Sequence, residues 1–159
     1  MPEHADATVR RAGAGDAAVI GRLLYDFNTE FGDPTPSPEA NAVRITELLA
    51  GGDTEVLLAR AGGNPVGLAV LRLRPALWST ALECYLAELY IAPAHRGHGL
   101  GRSLMEAAID VARARGADYM DLGTAETDSA ARALYESLGF SNREGRPDGP
   151  VNYYYEREL

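Results

Sequence analysis

Leu89–Met105 reads LYIAPAHRGHGLGRSLM, and the fold turns on what this stretch is for. An apolar, strand-like run ends at Ile91, Pro93 breaks it, and Gly97, Gly99 and Gly101 then alternate between Arg96 and Arg102. From Leu100 the apolar residues Leu104, Ala108, Val111 and Ala112 recur at helical spacing. Glycines let the backbone take left-handed dihedrals and approach a ligand closely, so that successive N–H groups point into one concavity. The helix that follows adds its unpaired N-terminal N–H groups and the positive end of its dipole. With Arg96, Arg102 and His98 as side-chain donors, the loop is expected to hold an anion of pyrophosphate size. The alternative is a strand-to-helix turn with solvated arginines, since short glycine motifs also occur by chance.

Outward from the loop, the upstream chain reads as strands. Thr54–Ala61, Pro65–Arg74 and Ala81–Ala92 are rich in β-branched and apolar residues and are joined by short links such as GGNP, which favours an antiparallel meander over parallel pairs. Before them come a strand at Ala7–Arg11 and two helices. The first is capped by Asp16 and carries Ile20, Leu23, Leu24, Phe27 and Phe31; the second is capped by Ser37, with Pro38 at its first position, and ends at Gly51–Gly52. Downstream, the helix from Leu100 closes at Gly116, a strand follows at Asp118–Gly123, a helix at Asp128–Leu138, and a final strand pair ends the chain. The expected order is β-α-α-β-β-β-α-β-α-β-β. It makes an α/β (α+β) domain at 7–159, with a central mixed, mostly antiparallel twisted sheet of about seven strands flanked by about four helices. Residues 1–6 are expected to be a flexible tail.

Composition narrows the function classes. The 159 residues are 46% hydrophobic and 24% charged, as in soluble globular domains, and their net charge of -8 disfavours wrapping nucleic acid and suits a cationic partner. All the basic residues are arginine, which excludes a P-loop lysine and a Schiff-base mechanism. Cys84 is the single cysteine and His4, His95 and His98 are scattered, so neither a disulfide nor a metal is expected. With no membrane-length apolar run and no secretory layout at the start, the expected location is the cytoplasm. A dinucleotide-binding loop would need G-x-G-x-x-G after an N-terminal βαβ unit. Here the third glycine comes one residue early and a meander precedes it, although Asp121 lies near where a ribose-binding acid would.

LYIAPAHRGHGLGRSLM, followed after about twenty residues by DSAARALYESLGF, resembles the Gcn5-related N-acetyltransferase (GNAT) superfamily. Arg96, Gly99 and Gly101 match its R/Q-x-x-G-x-G/A loop. Ala131, Tyr135, Gly139 and Phe140 match its later N-x-x-A-x-x-x-Y-x-x-x-G-F signature, with Asp128 where asparagine is usual. The resemblance implies acetyl-CoA as acyl donor and no metal. It implies that the backbone at Leu89, Tyr90 and Ile91 pairs with the pantetheine arm. It also implies that Arg96, Gly97, His98, Gly99, Leu100, Gly101 and Arg102 hold the pyrophosphate, and that Tyr135 protonates the leaving thiolate.

Transfer to an amine also needs a base, because an alkyl amine with pKa near ~10.4 is about one part in a thousand neutral at pH 7. Glu88 is the first candidate, as the resemblance implies a glutamate near this point of the strand. Glu83 is the alternative, on the opposite face unless a bulge intervenes. Either glutamate could instead merely pair with an arginine. The segment after the first helix brings Tyr25, Asn28 and Phe31, with Asp26, Glu30 and Asp33, as an acceptor site for a small-molecule or peptide amine; a solvated surface loop is the other reading. Asp128 suits a helix cap as well as it suits a cofactor contact. VNYYYEREL could pair with a neighbour's edge in a homodimer. A non-catalytic CoA-binding sensor and an acyltransferase with another acyl donor or a hydroxyl acceptor stand as the rival functions.

Overall fold

The computed structural model describes residues 6–159, so nearly all of the expected tail lies outside the described residues. Packing divides the chain into two compact units, one running to Met120 and the other spanning Asp121–Leu159.

In the first unit, β1 (Thr8–Arg11) is followed by α1 (Ala17–Glu30), α2 (Pro38–Gly51), β2 (Thr54–Ala61), β3 (Asn64–Pro75), β4 (Leu82–Ile91) and α3 (Leu100–Ala114). β5 (Ala117–Asp121) begins there, and α4 (Ser129–Ser137) lies in the second unit. The sheet order is β1-β2-β3-β4-β5, with the first three pairings antiparallel. The β2–β3 link is Gly62–Gly63 with φ of 56° and 79°, as a tight hairpin turn of the mirror-image type needs. β4 reaches its neighbour β5 through α3, the crossover that a parallel neighbour requires, and the sheet is mixed.

Both sheet faces are covered in the middle, which is why β2 is buried continuously from Val56 to Ala59 rather than alternating. On one face Val56, Leu58, Leu68, Val70 and Tyr90 pack with Ile20 and Leu23 of α1 and Ile45 of α2. On the other, Leu57, Ala59, Leu71, Cys84 and Leu86 are buried, as are Leu100, Leu104, Met105, Ala108 and Ala112 of α3, which packs on β2, β3 and β4. Glu55 is the buried charge of this unit. Arg11 of β1 and Arg115 at the end of α3 both donate to it, and Arg115 also donates to the Gly52 carbonyl at 2.7 Å. One carboxylate thereby fastens three elements.

Ser37 caps α2 as expected, accepting from Ala40 N–H at 3.1 Å, and Gly52 ends it in the left-handed conformation. Asp16 takes the N-cap position of α1, but its side chain makes no capping bond to that helix. Its carboxylate accepts from Gly13 N–H at 2.8 Å and pairs with Arg10 at 2.6 Å, closing a short 3-10 turn at Ala14–Asp16. The expected final strand pair is absent among the described residues, so the sheet has five strands rather than about seven. Val151–Leu159 are exposed throughout, and a period-two pattern forms a strand only where one side of it is covered. Asn152 N–H to the Asn142 carbonyl, at 2.7 Å, joins the two stretches. None of the described helices is long and apolar enough to cross a membrane.

Candidate active site

The site is built on β4. Its register against β3 runs Leu73↔Cys84, Arg72↔Tyr85 and Leu71↔Leu86, then slips by one so that Val70 faces Glu88. Ala87 is the extra residue of a β-bulge. The slip resolves the two glutamates: Glu83 and Glu88, five apart, now share the face that carries α1 and α2, together with Tyr85 and Tyr90. They are used differently. Glu83 is bonded to the Arg74 guanidinium directly across the ladder. Glu88 is half-buried near Asp33, and burial first, then the Asp33 charge, raises its carboxyl above the ordinary value.

Beyond the bulge, Leu89, Tyr90 and Ile91 pair with Ala69, Leu68 and Gly67 of β3. On the other side of β4, Leu82 N–H bonds the Gly116 carbonyl at 3.1 Å, where the five-residue β5 begins. At ~3.3 Å per residue a strand of that length runs out near the bulge, and Leu89–Ile91 extend past it.

After a 3-10 turn at Pro93–His95, Gly97 and Gly99 take φ of 80° and 84°, the left-handed values that glycine adopts without strain. Gly99 is the N-cap of α3 and offers no side chain to its first N–H groups. Gly101 lies inside the helix and is needed for no unusual dihedral. Arg102 pairs with Glu106 at 3.7 Å, and His98 is exposed. The loop thus presents main-chain donors, a helix N-terminus and adjoining positive charge, the donor set that fits a diphosphate.

Arg96 is engaged elsewhere. Its Nε donates to the Ile91 carbonyl at 2.9 Å, its Nη2 meets Glu30 at 2.8 Å, and its guanidinium carbon stands 5.8 Å from the Tyr90 ring centroid. The Tyr90 hydroxyl donates to the same glutamate at 3.4 Å. Burial and the Glu30 and Asp26 charges raise the Tyr90 phenol, with Arg96 opposing them.

The acceptor-segment residues are only partly where a ligand could use them. Phe31 is exposed and stacks edge-on with Phe27 at 5.3 Å, and Phe27 lies 5.1 Å from Tyr90. Asn28 spends its amide on the Pro34 carbonyl at 3.2 Å, holding the loop that presents Asp33. Tyr25 sits under Arg22, at 5.7 Å. Sequence reasoning left the bulge open as a condition without placing it, and missed the bond from Glu30 to Arg96. Nothing in LECYLAELY marks Ala87 as an extra residue, and Glu30 lies 66 positions from its partner.

In the second unit, Tyr135 is buried in α4 and stacks edge-on with Phe140 at 6.1 Å. Burial, then the Asp128 charge, pushes its phenol up to about 12. Asp128 caps α4, accepting from Ala131 N–H at 3.1 Å. Gly123 faces the Tyr154 ring, which a Cβ there would meet at an ordinary contact distance of 3.8 Å.

Comparison with known proteins adds four findings. A family model described as the acetyltransferase (GNAT) family matches residues 21–140. The IAA acetyltransferase of Azospirillum brasilense is 30% identical over 145 residues, covering 91% of this chain and 90% of that protein. The mycothiol acetyltransferase of Beutenbergia cavernae is 39% identical over 72 residues, 43% of this chain but only 24% of that protein. A crystal structure from Arthrobacter sp. FB24, provisionally named an acetyltransferase, superposes with a TM-score of 0.83 at 45% identity, covering 96% of each chain.

Proposed function

The chain belongs to the acetyltransferase (GNAT) family, and on that premise we propose that it is an acetyl-CoA-dependent N-acetyltransferase acting by direct transfer on a primary amine of a small molecule or peptide. The observation that carries this reading is Glu88: a half-buried carboxylate beside Asp33, at the bulge where β4 outruns β5.

Acetyl-CoA, when bound, supplies the activated acetyl thioester. Main-chain N–H groups of Gly97–Arg102 hold its diphosphate, and the Leu89–Ile91 edge receives its pantetheine amides. Glu88 takes the proton of the incoming ammonium, its raised pKa bringing it nearer to a useful base at neutral pH. Tyr135, a phenol that is protonated at neutral pH, would donate a hydrogen bond to the departing sulfur and its proton as that thiolate forms, and the rise to about 12 makes it a weaker acid for this than an ordinary tyrosine. Asp33, just past α1, is the carboxylate that suits a cationic acceptor, since Asp26 is paired with Arg22 at 3.4 Å and Glu30 with Arg96 at 2.8 Å, and the working compartment is taken to be the cytoplasm. The exposed tyrosines Tyr153, Tyr154 and Tyr155 offer a surface for a second copy.

The test is a calorimetric titration with acetyl-CoA and with CoA, followed by thiol release against a panel of amines. Saturable binding with thiol release on one amine is the expected outcome and names the acceptor class. Binding without release from any amine favours the sensor reading, and no binding returns the glycine loop to a turn.

A further inference from the structure

The first arginine of the loop has its fork occupied within the protein. Arg96 spans from the Ile91 carbonyl to both carboxylate oxygens of Glu30, the last residue of α1, with Tyr90 beneath it and donating to the same carboxylate. The guanidinium is held at both ends, by a charge-assisted contact at 2.8 Å and a carbonyl at 2.9 Å, and although water reaches the pair, the two anchors together fix its direction. Glu30 also leads directly into the acceptor segment, whose Phe31 stacks through Phe27 onto the same Tyr90.

We propose that Glu30 and Arg96 are positioning residues: their ion pair straps the anion-binding loop to the end of α1, so that Arg96 sets the loop's main-chain donors instead of contacting the diphosphate itself. This rests on the reading of the loop as a CoA site. It assigns Glu30 a function in cofactor binding although it is an acid and would itself repel a diphosphate. It also links the two halves of the reaction, since the acceptor segment and the cofactor loop are fixed to one strut.

Two roles for Arg96 make opposite forecasts for Glu30→Gln. If Arg96 is a strut, removing the Glu30 charge loosens the loop and weakens CoA. If Arg96 is a diphosphate ligand that Glu30 sequesters, the same change frees it and tightens CoA. The experiment measures CoA dissociation constants for the wild type, Glu30→Gln, Arg96→Gln and the double variant over a range of salt, with folding checked by circular dichroism. Glu30→Asp, which keeps the charge but withdraws the carboxylate, serves as a milder fourth variant. The strut requires each single change to weaken CoA on the order of tenfold, the double variant to be no worse than either single, and the salt slope to stay as in the wild type. It requires pantetheine, which lacks the diphosphate, to be affected less than CoA. Tighter CoA binding by Glu30→Gln, additive losses, or a reduced salt slope in Arg96→Gln would overturn it. Wild-type protein that fails to bind CoA would instead overturn the reading of the loop.

Discussion

The two halves of β4 differ more than their sequences do. Leu82–Leu86 is scaffold: Cys84 and Leu86 are buried on the α3 side, and Glu83 is neutralised across the ladder by Arg74. Glu88–Ile91, past one extra residue, is site: its glutamate is desolvated beside another acid and its tyrosine carries a charged network. The same residue type on the same face of the same strand is paired with an arginine at one end and half-buried beside an acid at the other. Burial and neighbouring charge, not residue identity, decide which carboxylate can act as a base.

That contrast breaks most visibly at the two glutamates. Glu88→Gln is expected to lower kcat by about 10³-fold while the acetyl-CoA dissociation constant changes little, whereas Glu83→Gln should cost less than tenfold in kcat. Equal losses at both positions in steady-state assays would erase the distinction between the halves. Tyr135→Phe is expected to lower turnover by about 10²-fold and leave cofactor affinity nearly unchanged, read from kcat beside a calorimetric titration. A loss of affinity without loss of turnover would reassign Tyr135 to packing against Phe140.

What could be read in the sequence follows the same division. The meander, the Ser37 cap, the crossover helix and the glycine loop are local patterns, set by spacing, capping and dihedral need, and they stand in the structure within a residue or two of their expected ends. The bulge at Ala87 is not local, because an extra residue is defined only against the partner strand. Asp16 was legible as a cap by type, yet Arg10 and the Gly13 N–H compete for its carboxylate. Alternation in VNYYYEREL promises a strand, but every residue of Val151–Leu159 is exposed and none is buried as the inner face of a sheet would be. The local geometry of the candidate site was legible where it sits in a motif, at the left-handed Gly97 and Gly99 and at the helix that carries Tyr135. The site was hidden where it depends on distant partners, as with Glu30 and Arg96 or Glu88 and Asp33.

The smallest expected effect probes the central claim most closely. Burial, then the Asp33 charge, raises the Glu88 carboxyl above its ordinary value, so if Glu88 is the base, activity is lost as pH falls through that raised value. Asp33→Asn removes the like charge and lowers the Glu88 pKa. The measurement is the acid limb of kcat/KM against pH in the wild type and in Asp33→Asn, with one amine, whose own titration is common to both. A limb displaced to lower pH in Asp33→Asn is the expected result; superimposable limbs would contradict Glu88 as the base.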